Sequence, residues 1–293
     1  MSNLQPIKIW SIEGNRQKLD GGSMFGNAPR AVWERWSPPD ELGRIDLACR
    51  CMLVEIQNKL ILCETGIGAF FEPKLADRFG IQNKEQHMLL ENLEAHNFSP
   101  DDIDYVILSH LHFDHAGGLV SKFSDGPMEL VFKNAQYLVG KTAWERAMSP
   151  HSRDRASFIP AINKLLEDSG RLIICDENSP SPIFPDQIEF TLSHGHTPGQ
   201  LHTLFKGATK SIIFAGDLIP GRHWVHLPIT MGYDRYPEML IDEKSELYNS
   251  VLSGDDLVFF THDDTYACSN VSKNEKGKFI AENLQENLIS FEI

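Results

Sequence analysis

Residues 108–118 read LSHLHFDHAGG, a short apolar segment followed by a dense group of polar side chains. The residues around its start, Tyr105–Ser109, form an apolar run that predicts a buried strand. Directly after the strand, three imidazoles and one carboxylate fall within six positions: His110, His112, Asp114 and His115. The first two histidines alternate, so they project to one side of an extended segment, and the other two residues lie on the turn that follows. Four donors at this density predict a metal site rather than incidental polar residues at a strand end.

Three later segments also place a metal-binding residue type directly after a predicted strand. They read SHGHTPG at 193–199, FAGD at 214–217 and FFTHD at 259–263. Taken singly, each Asp or His could simply cap a turn. Together with the first group, they favour one metal centre at the carboxyl ends of several strands.

The rest of the chain alternates strands and helices, although not as a strict βαβ series. Leu47–Ile56 and Leu60–Cys63 are apolar runs split by a turn-like break, which predicts a hairpin. Lys84–His96 has leucines and a methionine at helical spacing, and Ser99 then resembles a cap before a helical turn. Further strands are predicted at Leu130–Phe132, Gln136–Val139, Leu172–Cys175, Ile188–Leu192, Ser211–Ala215 and Leu257–Phe260, and further helices at Ala143–Met148, Arg155–Glu167 and Glu243–Leu252.

The organisation along the chain predicts a single domain over residues 1–293. The sequence shows no internal repeat, and its longest polar, turn-rich stretch, Asp176–Pro182, is too short for a domain linker. Asp20–Asp40 is rich in Gly, Pro and Trp and lacks clear periodicity. We expect it to form a long loop near the substrate pocket.

Composition narrows the function classes further. The chain has 293 residues, of which 41% are hydrophobic and 23% charged, as in an ordinary globular protein. Its 27 basic and 41 acidic residues give a net charge of −14, which argues against nucleic acid or an anionic membrane as partner. The N-terminus lacks a signal-peptide pattern, and the sequence predicts a cytoplasmic protein. The five cysteines lack paired Cys-x-x-Cys spacing and are expected to be reduced core thiols.

The histidine-rich group and the three later segments together resemble the metallo-β-lactamase superfamily. Its signature is His-x-His-x-Asp-His, followed by a distal His, an Asp and a final His, and the order here matches throughout. The resemblance implies an α/β (α+β) protein with a single-domain αββα sandwich and metals at one edge.

The resemblance also implies a ligand set for two divalent metal ions. In the family's pattern, His110, His112 and His196 bind one metal, Asp114, His115 and His262 bind the second, and Asp217 bridges them. His196 is preferred to His194 because the family's ligand lies in Gly-His-x-Pro-Gly, which leaves His194 to the pocket. Zinc is the expected metal, with iron, manganese or cobalt as alternatives. Glu64 departs from the pattern, because it stands where the family usually has Asp.

Three other segments are similar to one branch of the superfamily. DGGSMFG at 20–26, GDLIP at 216–220 and MGYDRYP at 231–237 resemble quorum-quenching N-acyl-homoserine lactonases and related organophosphate hydrolases. True β-lactamases normally lack the bridging carboxylate and are exported. RNA-processing members would need a basic surface, and flavodiiron proteins carry Glu where this chain has His112.

The expected reaction is therefore hydrolysis by a dinuclear centre. A metal-bridging hydroxide would attack a lactone carbonyl of the N-acyl-homoserine lactone type, with Asp114 relaying the proton. Some lactonases place a Tyr where this chain has Pro220, so the oxyanion helper must come from elsewhere, and Tyr233 is the candidate. An organophosphate or aryl ester hydrolase using the same site is the alternative. A non-catalytic, metal-stabilised ligand-binding protein is a third hypothesis, which the complete ligand set disfavours.

A pocket for a small-molecule substrate is expected beside the metals, and a homodimer is left open. Apolar side chains suit an acyl chain or aryl group, although each aromatic taken alone could equally be core. The candidate pocket residues are Met24, Phe25, Trp33, Trp36, Phe70, Phe71, His194 and Trp224.

Overall fold

A computed structural model of the protein describes residues 4–176 and 183–293, so most of the polar stretch Asp176–Pro182 lies outside the described residues. Strands and helices alternate along most of the chain. The strands are β1 (Ile7–Glu13), β2 (Gln17–Asp20), β3 (Arg44–Leu47), β4 (Arg50–Ile56), β5 (Lys59–Cys63), β6 (Tyr105–Leu108), β7 (Gln136–Gly140), β8 (Leu172–Cys175), β9 (Ile188–Ser193), β10 (Gln200–Lys206), β11 (Ser211–Phe214), β12 (Leu257–Phe259), β13 (Cys268–Lys273), β14 (Phe279–Gln285) and β15 (Phe291–Glu292). The helices are α1 (Gly21–Phe25), α2 (Arg30–Trp33), α3 (Pro73–Arg78), α4 (Met88–Ala95), α5 (Phe113–Ala116), α6 (Lys141–Met148), α7 (Pro160–Asp168) and α8 (Pro237–Glu246).

Two large sheets pack face to face between helices. The described residues place strands in the order β15-β1-β4-β5-β6-β7-β8 in the first sheet and β14-β13-β12-β11-β10-β9 in the second, with β2 and β3 as a separate ribbon. Side chains alternate across the first sheet: Met52 and Val54 of β4 pack in the core between the sheets, whereas Cys51 and Leu53 pack in the core that includes α4, α6 and α7. Helix α8 contributes Leu240 to the outer core of the second sheet. The predicted αββα sandwich is confirmed.

The predicted hairpin is confirmed, and its two-residue turn sets the register in which β4 and β5 pair. β4 and β5 pair antiparallel with Ile56 opposite Lys59, so Gln57 and Asn58 form the two-residue turn. Both have positive φ, 52° and 61°, the left-handed conformation that two-residue hairpins favour. The chain leaves this hairpin at Glu64, beside the carboxyl end of β6.

Gly117 and Gly118, which end the histidine-rich segment, are required by close backbone packing. A Cβ at Gly117 would lie 2.1 Å from the carbonyl oxygen of Ile67, and one at Gly118 would lie 2.0 Å from that of Thr65. The backbone that follows the hairpin therefore touches the backbone that follows the histidine-rich segment. Any side chain at these two positions would push the two segments apart.

Several predicted elements differ from the structure. Leu130–Phe132 is not a strand, because Leu130 forms one isolated bridge to Val120. The helix predicted at Arg155–Glu167 divides into a 3-10 turn at Arg155–Ser157 and α7, which begins at Pro160. The helix predicted at Glu243–Leu252 begins earlier, at Pro237, and ends as a π-helical turn over Leu247–Val251.

The segment 20–40, which was expected to be a loop, contains two short helices. It contains α1 and α2, and Asp20 caps α1 by accepting a hydrogen bond from the amide of Ser23 at 2.7 Å. All five cysteines are buried, as expected of core residues.

A buried lysine joins α8 to the segment 224–229. Lys244 is fully buried, and its Nζ donates to the carbonyl oxygens of Trp224 at 2.9 Å, Ile229 at 2.8 Å and His226 at 3.3 Å. An ammonium group has three protons, so the three carbonyls match its donors. Lys244 thus anchors the chain that runs between the second sheet and the aromatic side chains of 20–40.

We expect Lys244→Met to lower the free energy of unfolding by about 3 kcal/mol, because methionine preserves the length of the side chain but leaves three carbonyls without their donor. Urea unfolding at one fixed zinc concentration measures the change. Lys276→Met, at an exposed turn position, is the matched control and should change the free energy by less than about 0.5 kcal/mol. A loss no larger than the control's would contradict the anchoring role.

Candidate metal centre

The strand directions bring all the predicted ligands to one edge of the sandwich. β5 and β6 are parallel neighbours in the first sheet, so their carboxyl ends lie together. In the second sheet β9 and β11 both pair antiparallel with β10, and β11 pairs parallel with β12, so these three strands also end at one edge. The loops that follow β6, β9, β11 and β12 carry the seven predicted ligands.

The first group of donors is His110, His112 and His196, all buried. Their ligand atoms lie within 4.8 Å of one another. Nε2 of His110 lies 3.0 Å from Nδ1 of His112, which lies 3.3 Å from Nε2 of His196. Three ring nitrogens therefore point at one small space.

The second group is Asp114, His115 and His262, whose ligand atoms also lie within 4.8 Å of one another. Nε2 of His115 faces Nε2 of His262 at 3.2 Å. Oδ1 of Asp114 lies 3.7 Å from the first of these nitrogens, and Oδ2 lies 3.7 Å from the second. The group lies beside the first one, because both arise from the same histidine-rich segment.

Asp217 lies between the two groups. Its Oδ2 is 3.2 Å from Nε2 of His196 and 3.3 Å from Nε2 of His115, and its Oδ1 is 3.2 Å from Nε2 of His262. One carboxylate thus contacts donors of both groups. This is the position that a bridging ligand requires.

The arrangement fits metal ions better than it fits hydrogen bonding among the side chains themselves. Imidazole nitrogens face one another at 3.0 to 3.3 Å, and a facing pair can hold at most one proton between them. Neutral imidazoles and ionised carboxylates around a shared space are the donor set of zinc and similar divalent ions. Two groups of three donors and one shared carboxylate indicate a site for two metal ions.

The outward-facing nitrogens of four ligand histidines have fixed partners. Such contacts set the tautomer and leave the inner nitrogen with its lone pair. The pairs are His110 Nδ1 with Ser109 Oγ at 2.9 Å, His115 Nδ1 with Glu64 Oε2 at 2.8 Å, His196 Nδ1 with Asp234 Oδ1 at 2.9 Å and His262 Nδ1 with the carbonyl oxygen of Ala48 at 2.7 Å.

Glu64, the residue that departs from the family's pattern, supports both groups. Its Oε2 accepts the hydrogen bond from His115, and its Oε1 accepts one from the hydroxyl of Ser109, which in turn contacts His110. Glu64 is buried and is also a non-glycine residue with positive φ, 62°. The longer carboxylate thus supports one ligand of each metal site.

The electrostatics differ between the two groups. Burial, followed by the neighbouring imidazoles, lowers the pKa of His110 and His112 well below the ordinary histidine value. Burial alone would lower the pKa of His115 and His262 as well, but the carboxylates around them outweigh it and raise both. Burial would raise the pKa of Asp217, but His115, His262 and His196 hold it well below its usual range.

Two supporting residues were missed by the sequence analysis. Asp234 is buried and accepts from His196 Nδ1 and, at 2.6 Å, from the amide of Met231. Gln17, from β2, donates to Oδ2 of Asp114 at 2.9 Å. Asp234 lies within the MGYDRYP segment, which the sequence analysis singled out. Its hydrogen bond to His196 was not predicted, because that residue is 38 positions away and the local sequence does not indicate the contact.

A cavity of about 240 Å³ opens over the metal centre. Tyr233 and Met24 both line it, and His112, Asp114 and His196 line it as well. The apolar part of its wall comes from Leu19, Met24, Phe79, Phe113 and Met231.

Of the other predicted pocket aromatics, Phe25, Trp33 and Trp224 are buried in a small core, and Trp36 is partly buried against that core. Of the described residues that line the cavity, Met24 is the one member of the predicted set from segment 20–40. Phe25 is stacked between Trp33, at 5.8 Å between ring centroids, and Trp224, at 4.5 Å, and Trp36 stacks on His223 at 5.4 Å. Flat rings bury more apolar area against each other than against an open cavity. The structure therefore differs from the prediction for these four aromatics.

Phe70 and His194 also lie elsewhere. Phe70 packs against Phe71, with ring centroids 4.1 Å apart, in the core on the helix side of the first sheet. Nδ1 of His194 accepts a hydrogen bond from the amide of Gly199 at 3.1 Å. The amide of His194 donates to Glu243, so this residue shapes the loop that carries His196.

Comparisons with known proteins identify the family. Residues 44–262 match the model of the metallo-beta-lactamase superfamily, which is more than half of the chain. The chain therefore belongs to the metallo-beta-lactamase superfamily. The segment matched contains six of the seven predicted ligands before its last residue and ends at the seventh, His262.

Relatives of this chain are metal-dependent hydrolases, and the chain is assigned to that class. An N-acyl homoserine lactonase of Bacillus thuringiensis is 24% identical over 236 residues, which are 75% of this chain and 82% of that protein. A second N-acyl homoserine lactonase, from a Bacillus species, is 24% identical over 272 residues, or 87% and 93% of the two chains.

Solved structures show the same fold over nearly the whole chain. A probable metal-dependent hydrolase from Staphylococcus aureus superposes with a TM-score of 0.81 at 25% identity, covering 96% of this chain and 99% of that one. AidC, a dizinc quorum-quenching lactonase, superposes at 0.74 with 22% identity and 96% coverage of both chains. The hydrolase AbOPH also superposes at 0.74, with 18% identity, covering 96% of this chain and 98% of its own.

No helix in the described residues is long and apolar enough to cross a membrane. The cytoplasmic location stays a prediction.

We expect His196→Ala to lose bound metal and His194→Ala to keep it, because Nε2 of His196 points into the first donor group whereas His194 binds a backbone amide. Elemental analysis after dialysis at equal zinc measures the metal content per chain. Equal losses in the two variants would overturn the assignment of His196 as the ligand.

Proposed function

We propose that this protein is a dinuclear metal-dependent hydrolase that opens the ring of a lactone, of the N-acyl-homoserine lactone type. The observation that carries the proposal is the complete set of seven converging donors at the base of a largely apolar cavity. Two curated relatives that match most of the chain are N-acyl homoserine lactonases, which supports the same substrate class.

The ligand assignment follows the two groups of donors. His110, His112 and His196 would hold one metal, Asp114, His115 and His262 the other, and Asp217 both. We propose zinc in both positions, with iron, manganese or cobalt as alternatives that the same donors accept. Bound there, two such ions supply a nucleophile from water at neutral pH and polarise the substrate carbonyl.

Asp114 is proposed to move the proton. Its side chain is 14% exposed and lines the cavity, whereas Asp217 is buried between the histidines. Gln17 holds Oδ2 of Asp114 by donating to it, so the carboxylate keeps a fixed orientation. Asp114 can therefore accept a proton at the attacking side and return it to the departing alkoxide.

Tyr233 is proposed to stabilise the charge that develops on the carbonyl oxygen. It lines the same cavity as Asp114, and burial raises the pKa of its phenol above the ordinary value. A neutral phenol at pH 7 is a hydrogen-bond donor, as an oxyanion requires.

The cavity also suits the organic part of such a substrate. Leu19, Met24, Phe79, Phe113 and Met231 give its apolar lining, and its polar lining consists of the metal ligands on one hand and Arg153, Asp154, Ser157, Tyr233 and Arg235 on the other. A lactone ring with an acyl chain presents the same division between one polar reacting group and an apolar remainder.

We infer that residues 1–293 act as one domain. β15, near the C-terminus, pairs with β1, near the N-terminus, in the same sheet. Separation of either end would expose strand edges of the sandwich that holds the site. A homodimer stays a prediction.

The proposal is tested by assaying the zinc-loaded protein on N-hexanoyl-homoserine lactone, phenyl acetate and the phosphotriester paraoxon, each with and without a chelator. We expect the lactone to have the highest kcat/KM and all activity to disappear with the chelator. Strong phosphotriester hydrolysis without any lactone or ester turnover would favour the organophosphate alternative. Binding without turnover of any substrate would support the ligand-binding alternative.

Tyr233→Phe should lower kcat for the lactone by about tenfold with a smaller change in KM, because the lost donor acts on charge that exists in the transition state. Steady-state kinetics at saturating zinc measures both constants. Tyr236→Phe is the control, since Tyr236 is half-exposed and lines a neighbouring groove. Equal effects of the two substitutions would argue against the role of Tyr233.

A further inference from the structure

Two arginines lie where the catalytic cavity meets a larger outer groove. Arg153 and Arg235 line the 240 Å³ cavity over the metal centre, together with Met231. The same three residues also line an open groove of about 890 Å³ on the other side of the segment Met231–Pro237. A substrate bound at the metals and extending outward would pass these guanidinium groups.

The two guanidinium groups are held by backbone oxygens rather than by carboxylates. Nη2 of Arg153 donates to the carbonyl oxygen of Gly232 at 3.0 Å, and Nε of Arg235 donates to that of Tyr233 at 2.9 Å. Nη1 of Arg235 is buried and has no acceptor within residues 4–176 and 183–293. Both side chains are thus positioned without a carboxylate hydrogen-bonded to either of them.

The nearby carboxylates are already bound. Oδ2 of Asp154 accepts from Arg146 at 2.6 and 3.0 Å, whereas its buried Oδ1 has no hydrogen-bond partner among the described residues. Asp234 accepts from His196 and the amide of Met231. Asp114 and Asp217 belong to the metal centre. In the described part of the chain, no carboxylate forms an ion pair with either of the two arginines.

The charges around the two arginines are mixed. Asp154 pairs with Arg146, and Glu238 and Asp242 line the outer groove but not the cavity. Arg153 and Arg235 are the cationic side chains shared by the cavity and the groove, on a chain of net charge −14. A planar guanidinium pairs with a carboxylate through directed hydrogen bonds, which makes a carboxylate the fitting occupant.

We propose that Arg153 and Arg235 form a subsite for a carboxylate on the substrate, so that the preferred lactones are anionic. The inference rests on the proposed lactone opening and narrows its substrate class. An unsubstituted N-acyl-homoserine lactone is neutral and makes no use of this subsite. In the reaction water adds to the lactone carbonyl carbon, the ring C–O bond breaks, and the leaving oxygen takes the proton.

The test compares two lactones that differ by one carboxylate, γ-butyrolactone and 5-oxotetrahydrofuran-2-carboxylate, which open to 4-hydroxybutyrate and 2-hydroxyglutarate. We expect kcat/KM to be at least tenfold higher for the carboxylated lactone. Arg235→Gln and Arg153→Gln should each reduce this preference to within about threefold of unity. Arg155→Gln removes the same charge from an exposed position two residues from Arg153 and should leave the preference unchanged.

A binding measurement separates this inference from the proposed function. Calorimetric titration of the zinc-loaded protein with each hydroxy acid should show about tenfold tighter binding of 2-hydroxyglutarate, lost in the Arg235→Gln and Arg153→Gln variants. If 2-hydroxyglutarate binds more tightly than 4-hydroxybutyrate but neither lactone is hydrolysed, the result supports the carboxylate subsite and refutes lactone opening. Turnover of both lactones with equal kcat/KM and equal product binding would refute the subsite alone. Loss of the preference in the Arg155→Gln control would also overturn it, because general charge would then be the cause.

Discussion

Five imidazole nitrogens converge on a space in which neighbours lie only 3.0 to 3.3 Å apart. Such an arrangement is unstable unless each ring is held from outside, because protonated rings would repel and neutral rings would turn to find other partners. The chain meets this constraint with a partner on the outer side of four rings. Glu64 is central, since its two oxygens reach His115 directly and His110 through Ser109. The metal site is therefore as much a property of the hairpin end as of the histidine-rich segment.

The loops that carry the ligands are held in turn by buried cations. Nη1 of Arg50 donates to the carbonyl oxygens of Phe260, Asp263 and Tyr266, on both sides of His262. Lys244 donates in the same way to three carbonyl oxygens of the segment 224–229, which carries no ligand itself but packs its Trp224 against the residues of segment 20–40. A buried cation surrounded by carbonyls fixes irregular backbone that no strand or helix can satisfy. Loops are thereby given the rigidity that metal ligands require.

The αββα architecture was predicted from the resemblance to the metallo-β-lactamase superfamily, whereas the candidate ligands were indicated by local signals. A metal ligand at a strand end can be recognised from its residue type and from the apolar run that precedes it. Asp234 and Gln17 could not be recognised as supporting residues, because their hydrogen-bond partners are distant in the chain and the sequence around them has no distinctive pattern. The strand β10 was missed for a related reason: it is buried on both faces over most of its length, so its sequence does not alternate between apolar and polar residues.

The aromatics of segment 20–40 were placed in the pocket because tryptophan in an aperiodic segment suggests a binding loop. Stacking among Phe25, Trp33 and Trp224 instead makes that segment a small core of its own.

The segment Met231–Arg235 joins the metal centre to the cavity above it. Asp234 accepts from His196, Tyr233 lines the cavity, and Arg235 lines both the cavity and the outer groove. The amide of Arg235 also donates to the carbonyl oxygen of His196 at 3.1 Å, so this segment and the ligand loop move together. Substitution of the Arg235 side chain leaves this backbone contact in place, whereas substitution of Asp234 removes the partner of His196 Nδ1. Under the proposed function, the two adjacent residues are therefore expected to have separable effects, Arg235 on lactone preference and Asp234 on metal binding.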